Sequence, residues 1–463
     1  MSRLVPVTRD SVTTTSAAGK RIPVFPAEVR GPWNRRRQWV QWALIALYLF
    51  IPWIKIDGHP LVLLDVEHRR FSLFGQLFFA QEVPNLVFIA FSFILTVGLV
   101  TAWFGRVWCG WSCPQTVFIE RIFRAIERRI EGDPVRQRGL HAAPWGPGKV
   151  LKKSLKWLVF SGISLVLSHS FLAYFVGETE SFRMMTQAPG AHPTSFLVVM
   201  VFTGIVLFDF GWFREQFCLV ACPYGRFQSV MMDDSSLFIH YDSRREDCID
   251  CHKCVAACPT GIDIRNGMQM ECIACTSCAD ACDSVMQKIH KPKGLIAYQS
   301  LRLLEGKPFR LLRGRPLVYL TLLAICLSML GNRLARRTPY SAEVTRAIDT
   351  PYQVVKGQDG REYLLNHFKV HFANLGWETL HPRVSLEVAD LREGAELILP
   401  PGEQAAPKAL ASGEGREFDV FLKIPKARFQ DLNRESAVPL VTHWHEGIES
   451  RSPMKLIGPS GDL

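Results

Sequence analysis

Cys248-Ile-Asp-Cys251-His-Lys-Cys254-Val-Ala-Ala-Cys258-Pro259 is followed, after a short link, by Cys272-Ile-Ala-Cys275-Thr-Ser-Cys278-Ala-Asp-Ala-Cys282. Each run sets three cysteines at two-residue gaps and a fourth three residues further on. This is the ligand spacing of a protein that holds two [4Fe–4S] clusters. Each cubane needs four thiolates converging on one small volume. Three come from a tight loop, and the remote fourth serves the other cluster. The spacing therefore assigns Cys248, Cys251, Cys254 and Cys282 to one cluster, and Cys258, Cys272, Cys275 and Cys278 to the other. Structural zinc would use wider gaps between cysteine pairs. A disulfide ladder would require an oxidising compartment. The doubled run favours clusters over both.

Outside this run the composition is that of a membrane protein. The 463 residues allow two or three domains. They are 48% hydrophobic, with 12 Trp and 30 Phe, and still carry a formal charge of +11. Apolar content with excess positive charge suggests membrane helices whose basic loops stay cytoplasmic. The Lys and Arg are scattered between apolar runs in no single stripe, so no nucleic-acid partner is expected. Of the 13 Cys, only Cys326 stands outside a motif, within an apolar segment, where it is expected to be a packed core residue.

Five apolar stretches approach the roughly 20 residues that cross a bilayer as helix: Trp39–Ile56, Leu86–Phe104, Trp157–Val176, Phe196–Phe213 and Leu317–Leu330. Trp39, Trp53, Trp103, Trp157 and Trp212 mark ends, as an aromatic belt does. Residues 1–37 read as a polar, disordered N-terminal segment without a cleavable signal, so insertion is expected to rely on the first membrane helix. Arg35–Arg37 and the basic segments Arg106–Lys156 and Arg214–Arg315 alternate with the poorer loops Asp57–Glu82 and Gly177–Thr194. The positive-inside rule then places the N-terminus and the clusters in the cytoplasm of a multi-pass inner-membrane protein. Five spans leave the C-terminal part outside; Arg333, Arg336 and Arg337 argue mildly against this.

The expected organisation is a four-helix membrane region over 38–236, a ferredoxin-type domain over 237–300, a fifth helix over 316–331 and a periplasmic domain over 339–463. That last part contains no cysteine. It alternates apolar and polar residues in Val384-Ser-Leu-Glu-Val and Phe418-Asp-Val-Phe-Leu-Lys-Ile, with turns such as Pro400-Pro-Gly, the pattern of a β-sandwich.

A second repeat pairs Cys109-Gly-Trp-Ser-Cys113-Pro114 with Cys218-Leu-Val-Ala-Cys222-Pro223, each just after a membrane span. Pro favours the first helical position, which puts Cys113 and Cys222 at helix N-termini. The partial positive charge there is expected to lower the thiol pKa. Thr116–Ile130 has the amphipathic pattern of a surface helix. A continuous helix through each pair would set its two sulfurs on one face, one turn apart. Such soft thiolates favour Cu(I), zinc or iron–sulfur iron. Packing at helix ends is the plainer alternative.

Beyond the motifs, the chain resembles the CcoG family, also called FixG or RdxA, membrane accessory proteins of cbb-type cytochrome c oxidase assembly. The resemblance covers nearly the whole chain. It is carried by Leu47-Tyr-Leu-Phe-Ile-Pro-Trp-Ile-Lys-Ile-Asp-Gly-His-Pro, Arg106-Val-Trp-Cys-Gly-Trp-Ser-Cys-Pro-Gln-Thr-Val, Arg214-Glu-Gln-Phe-Cys and the double cluster run with Gly261-Ile-Asp-Ile-Arg. It implies an immunoglobulin-like C-terminal domain and a role in reducing Cu(II) to Cu(I) during oxidase maturation. Copper would then be the substrate at Cys109, Cys113, Cys218 and Cys222. A cytoplasmic electron donor, copper-transport proteins and oxidase-assembly proteins would be the partners. Two rivals stand beside this reading. One is a quinol-oxidising electron-transfer subunit, with His59, His68 and His169 as anchors. The other is an assembly scaffold, with His443-Trp-His445 either an external copper site or an ordinary surface strand pair.

Overall fold

The computed structural model describes residues 14, 21–79, 82–350, 352–357, 359–386, 395–400, 408–431, 437–445 and 448–458. The chain divides into two compact units. One comprises Met1–Asp65 with Pro84–Asn332, the other Val66–Val83 with Arg333–Leu463.

Four helices are long and apolar enough to cross a membrane: Val83–Phe104, Pro147–Val176, Pro193–Phe213 and Gly314–Ala335. They match four of the five expected stretches. Gly314–Ala335, with 22 residues, exceeds the short stretch expected there and spans roughly 33 Å at 1.5 Å per residue. Proline occupies the first turn of Pro147–Val176 and Pro193–Phe208, where its missing N–H is no loss.

The expected first span differs. Helix begins at Pro32 rather than Trp39 and ends at Phe50, and a 3-10 turn at Ile51–Trp53 follows. Pro52 has no N–H to continue the helical ladder. The helical residues after Arg37 measure roughly 20 Å, short of a bilayer core. Its buried face is Arg37, Gln41 and Ile45, spaced four apart on one side. The helix lies along Pro147–Val176: Tyr48 donates to the Leu167 carbonyl at 2.9 Å, and Tyr174 donates to the Tyr48 carbonyl at 2.8 Å. Lys55 then pairs with Glu178 at 2.7 Å, just past the end of the long helix. Phe123, Phe160 and Val206 fill the core of these helices, with Phe123 and Phe160 edge to face at 4.8 Å. Cys326 is buried and accepts from Ser92 Oγ at 3.3 Å, a packed core residue as expected.

The cysteine runs sit on a small lobe of the same unit. Strands Phe238–Tyr241 and Ile296–Gln299 pair antiparallel, and helices Lys253–Ala256 and Ser277–Lys288 carry the loops. Ile239, Ile262, Ile264, Val285, Met286 and Leu295 make its core. Part of the N-terminal segment expected to be disordered packs here. The Ala27 amide donates to the Ala256 carbonyl at 2.8 Å. Buried Asp280 accepts from the amides of Trp33 and Asn34 at 3.3 and 2.7 Å, capping the helix that starts at Pro32.

In the other unit, the strand order Glu396–Ile398, Gly415–Pro425, Glu362–Asn374, Tyr340–Arg346 forms one antiparallel sheet, with Gln353–Lys356 also on Glu362–Asn374. Arg383–Leu386, Ala437–His445 and Ile448–Lys455 form a second. Both sheets contribute to one core, including Phe368, Phe372, Val420, Leu422, Leu440 and Trp444. Alternate burial of Phe418, Val420, Leu422 and Ile424 follows the period-two pattern of the sequence. Glu387, Val388, Pro401 and Gly402 of the expected strand and turn lie outside the described residues. The hairpin Arg70–Leu73/Gln76–Phe79, read from sequence as plain loop, belongs to this unit. Trp377 Nε1 donates to the Gly75 carbonyl at 3.1 Å, and Arg337 pairs with Glu82 at 2.6 Å. That pairing neutralises one of the arginines that argued against the expected orientation.

Candidate functional site

The two cysteine loops share an unusual backbone. Asp250 and His252 flank Cys251 with φ of 51° and 52°, and Ala274 and Thr276 flank Cys275 with φ of 51° and 61°. Left-handed backbone at a non-glycine residue costs roughly 1–2 kcal/mol, and persists where the surroundings over-determine it. Here it curls each loop about its middle cysteine at equivalent positions.

Remote cysteines complete each set across the lobe. Cys258 joins Cys272, Cys275 and Cys278 around a small cavity that also reaches Cys254, Ile262 and Ile264. Cys282 lies within electrostatic reach of Cys248, Cys251 and Cys254. Each remote cysteine thus lies by the run it is proposed to complete. Burial pushes the Cys272 thiol up to about 12, against an amide hydrogen bond from Ala274. Burial and the charge of Cys254 push Cys282 up to about 12. Thiolates at such positions need a cationic centre among them, and four soft donors around a cavity fit an iron–sulfur cubane. Among the described residues, no group of three or more His, Cys, Asp or Glu is set to hold a single metal ion.

The two quartets differ in their surroundings. Cys251 is exposed. Arg265 stands beside the first loop but shares its charge with Asp263 at 2.7 Å and Asp250 at 2.6 Å. The second loop instead receives two buried guanidiniums. Arg37 Nη1 donates to the Cys275 carbonyl at 2.9 Å. Arg106 Nη1 donates to the Cys272 carbonyl at 3.1 Å and also to that of Met270.

The CxxxCP pairs fold alike. A helical turn carries the first cysteine, in Val107–Trp111 and Phe217–Ala221. The second is extended, with φ/ψ of −63°/126° at Cys113 and −73°/113° at Cys222, and caps the helix opened by its proline. The Cys113 amide donates to the Trp108 carbonyl and the Cys222 amide to that of Phe217, both at 2.8 Å and both five residues back. No continuous helix runs through either pair, because the proline pulls the preceding cysteine into extended backbone. The expected one-face, one-turn placement of the sulfurs is therefore corrected.

A second expectation also fails. Burial raises the Cys113 thiol, outweighing the amide hydrogen bonds from Gln115 and Thr116 at the helix start. The helix N-terminus thus does not make it an acidic thiol. Burial also pushes Cys109 up to about 12, opposed by Arg106, with the charges of Cys113 and Cys222 raising it further. Cys218 is raised by burial and then by Cys113, Cys109 and Cys222. The four thiols, distant in sequence, thus gather within electrostatic reach of one another.

The first pair abuts the second cluster loop. A Cβ on Gly110 would lie 2.9 Å from both Cα and N of Cys275 and would overlap the Ile273 carbonyl. Gln41 Nε2 donates to the Gly110 carbonyl at 3.2 Å. Gln228, its amide oxygen accepting from Arg106 Nε at 2.9 Å, lies within 3.9 Å of the Cys109 sulfur. Arg106 also donates to the Gly225 carbonyl, and so bridges the second cluster loop to the helix after Cys222.

Buried ion pairs fasten the two repeats together. Arg124 meets Glu215 at 3.1 Å, and Arg214 meets Glu127 at 2.9 Å. Lys156 meets Glu127 and Glu131 at 3.0 and 2.8 Å. Burial raises the Glu127 carboxyl, and Arg214 and Lys156 more than offset it, bringing it down to about 2. Arg124 also donates to the Pro259 carbonyl at 3.2 Å, beside Cys258. Sequence reasoning passed over Arg37, Arg106, Gly110, Gln228 and this network. The hint was charge inside the apolar face of an amphipathic helix, at Arg124, Glu127 and Glu131. Of the other candidates, His443 is held by Ser385 at 2.8 Å and Glu449 at 2.9 Å, while Trp444 turns into the core. His169 sits within Pro147–Val176.

Comparison with known proteins follows the same map. A 4Fe-4S binding domain model matches residues 85–131, and a 4Fe-4S dicluster domain model matches 213–247 and 243–301. RdxA of Cereibacter sphaeroides is 38% identical over 298 residues, 61% of this chain and 63% of that protein. RdxB of the same organism is 35% identical over 322 residues, 64% and 66% of the two chains. The nitrogen fixation protein FixG of Rhizobium meliloti is 35% identical over 309 residues, 61% and 58%. The chain thus spans somewhat less than two thirds of the length of these relatives. No solved structure matches. With cysteine runs in the matched stretches and apolar helices around them, the chain is similar to RdxA, RdxB and FixG and matches 4Fe-4S domain models.

Proposed function

We propose that this protein reduces Cu(II) to Cu(I) at the membrane for assembly of a cbb-type cytochrome c oxidase. In this reading Cys109, Cys113, Cys218 and Cys222 face the copper, and the two quartets hold [4Fe–4S] clusters. The observation that carries it is the close approach of Gly110 to Cys275, which sets the first cysteine pair against the second cluster loop within one compact unit, with Cys218 and Cys222 in electrostatic reach of that pair. The clusters, when bound, supply one-electron storage, and each Cu(II) takes up one electron to become Cu(I). Thiolates stabilise Cu(I) over the harder Cu(II), so the four cysteines favour the reduced product. Burial raises the Cys109 and Cys218 thiols, so metal uptake there releases protons and weakens as pH falls.

Five crossings remain the proposed topology, with the N-terminus and clusters cytoplasmic and an immunoglobulin-like domain periplasmic. What supports the fifth is the path of the first helix. Arg37 lies at the cluster loop, Tyr48 meets Leu167 and Tyr174, and Lys55 meets Glu178, so the chain between them follows the C-terminal part of Pro147–Val176. A soluble cytoplasmic donor, copper-transport proteins and oxidase-assembly proteins are the proposed partners.

A second reading of the four thiols is a third iron–sulfur group, favoured by the 4Fe-4S binding domain match over residues 85–131. Copper titration of anaerobically purified protein, with and without reductant, separates the two. In the copper reading the protein holds about eight iron. Serine at each of the four positions then leaves cluster absorbance intact while Cu(I) binding and Cu(II) reduction are lost. About twelve iron, falling to about eight in the serine variants, would establish the third group instead. Four variants with unchanged copper binding and reduction would overturn the copper reading.

A further inference from the structure

Arg37 and Arg106 are 3% and 7% exposed. Beyond the carbonyls of Cys275 and Cys272, their partners are Asn34 for Arg37, and Met270, Gly225 and Gln228 for Arg106. Among the described residues neither pairs with a carboxylate. The other cations beside the quartets are matched by acids. Arg124 at Pro259 is held by Glu120 and Glu215. Arg265 at the first loop is held by Asp263 and Asp250, and Asp283 adds negative charge beside Cys282. The second quartet therefore has beside it two buried guanidiniums without a direct carboxylate partner, on which Glu120 and Glu271 act only at longer range, and the first has none.

Reduction adds one negative charge to whatever group a quartet holds. Net charge, hydrogen bonding and solvent exposure set the potential of an iron–sulfur group. Exposure at Cys251 lets water stabilise a reduced first site, which works against the difference. Water also screens, however, whereas a guanidinium in the protein interior acts through a several-fold lower dielectric. The two buried charges should outweigh the solvation.

We propose that Arg37 and Arg106 are positioning residues that raise the reduction potential at the second quartet above that at the first. They would thereby give the pair a direction. The lower-potential site is then the one with a solvent-exposed cysteine, where a donor can reach it. The higher-potential site is the one that abuts Gly110 and Cys109. The proposal rests on the reading that both quartets hold [4Fe–4S] groups, and adds the order of their potentials.

An anaerobic redox titration of the full-length protein in detergent, followed by electron paramagnetic resonance with dithionite as reductant, tests it. The expected result is two one-electron transitions separated by at least tenfold in equilibrium constant, about 59 mV. The upper one should vanish in Cys275→Ser and the lower one in Cys251→Ser. Arg37→Gln and Arg106→Gln should each lower only the upper transition, by about tenfold, while Arg106→Lys, which keeps the charge, should lower it less. Should Arg106→Gln fail to load iron, Arg37→Gln supplies the same measurement. The proposal is overturned if the upper transition belongs to the first quartet, or if the arginine variants move both transitions equally or neither. A wild-type iron content well below two cubanes would overturn the underlying reading first, and is seen before any potential is measured.

Discussion

Replacing Gly110 by alanine adds a single methyl group at the tightest contact between the cysteine pairs and the cluster loops. That methyl would sit 2.9 Å from Cys275 Cα and N, and nearer still to the Ile273 carbonyl. Carbon atoms in ordinary contact sit about 3.5–4.0 Å apart, so something must move by roughly half an ångström or more. The obstructing atoms are backbone of a loop already in left-handed conformation at Ala274 and Thr276, with no flexible side-chain end to yield. Overpacking of this kind costs about 1–3 kcal/mol. It would fall on the segment that presents Cys272 and Cys275. The expected outcome is selective loss at the second quartet, with iron and sulfide falling from about eight toward about four per chain. The melting temperature should fall as well. Gly139→Ala is the control: nothing lies within 4 Å of a Cβ there, and alanine is the better helix former. It should keep full iron. A Gly110→Ala protein with wild-type iron, sulfide and melting temperature would refute the close-contact argument.

Three further outcomes are expected. Glu127, held near 2 by Arg214 and Lys156, stabilises the fold above the ordinary carboxyl value of about 4.3 and loses that contribution as pH falls toward about 2. Glu127→Gln should flatten acid unfolding in this window and cost about 3–5 kcal/mol at neutral pH; a wild-type tryptophan-fluorescence profile in the variant would count against the network. Asp280→Ala should remove the foreign cap from the helix at Pro32 and cost about 1 kcal/mol in a thermal melt; no change would mean that the cap contributes nothing. A reporter fused after Ile289 should read cytoplasm and one after Leu463 periplasm, and both on one side would rule out five crossings.

Much of the fold was legible because its signals are local. Apolar runs long enough for a bilayer located four helices, and alternation located the strand Gly415–Pro425. Two-residue gaps between cysteines announced the loops. Long-range partners were not legible. The helix at Pro32 looked like a membrane span preceded by three topogenic arginines, yet Arg37 faces inward and serves the Cys275 carbonyl. A charge reads the same in a sequence whether it meets lipid headgroups or a buried carbonyl. The acidity expected of Cys113 failed for a related reason. A helix N-terminus is a sequence-local effect, while the burial that overrides it comes from tertiary packing, with the charge of distant Cys222 adding to it.

The motifs of this chain are nearly symmetric, and an electron carrier has to be directional. Both cluster loops have the same spacing and the same left-handed residues about the middle cysteine. Both CxxxCP pairs have the same five-back hydrogen bond and the same proline-opened helix. Nothing that the copies share can therefore decide which copy receives electrons and which delivers them. The difference has to come from residues that are not repeated, inside the motifs or beyond them, and these are unevenly placed. Arg37 and Arg106 serve only the second loop, Asp263 and Asp250 neutralise the cation at the first, and Gly110 makes its close approach to Cys275 alone. The duplicated motifs thus supply the capacity to hold redox groups. Single, unrepeated residues break the equivalence of the copies, and in the proposed ordering of potentials it is on them that the direction of flow depends.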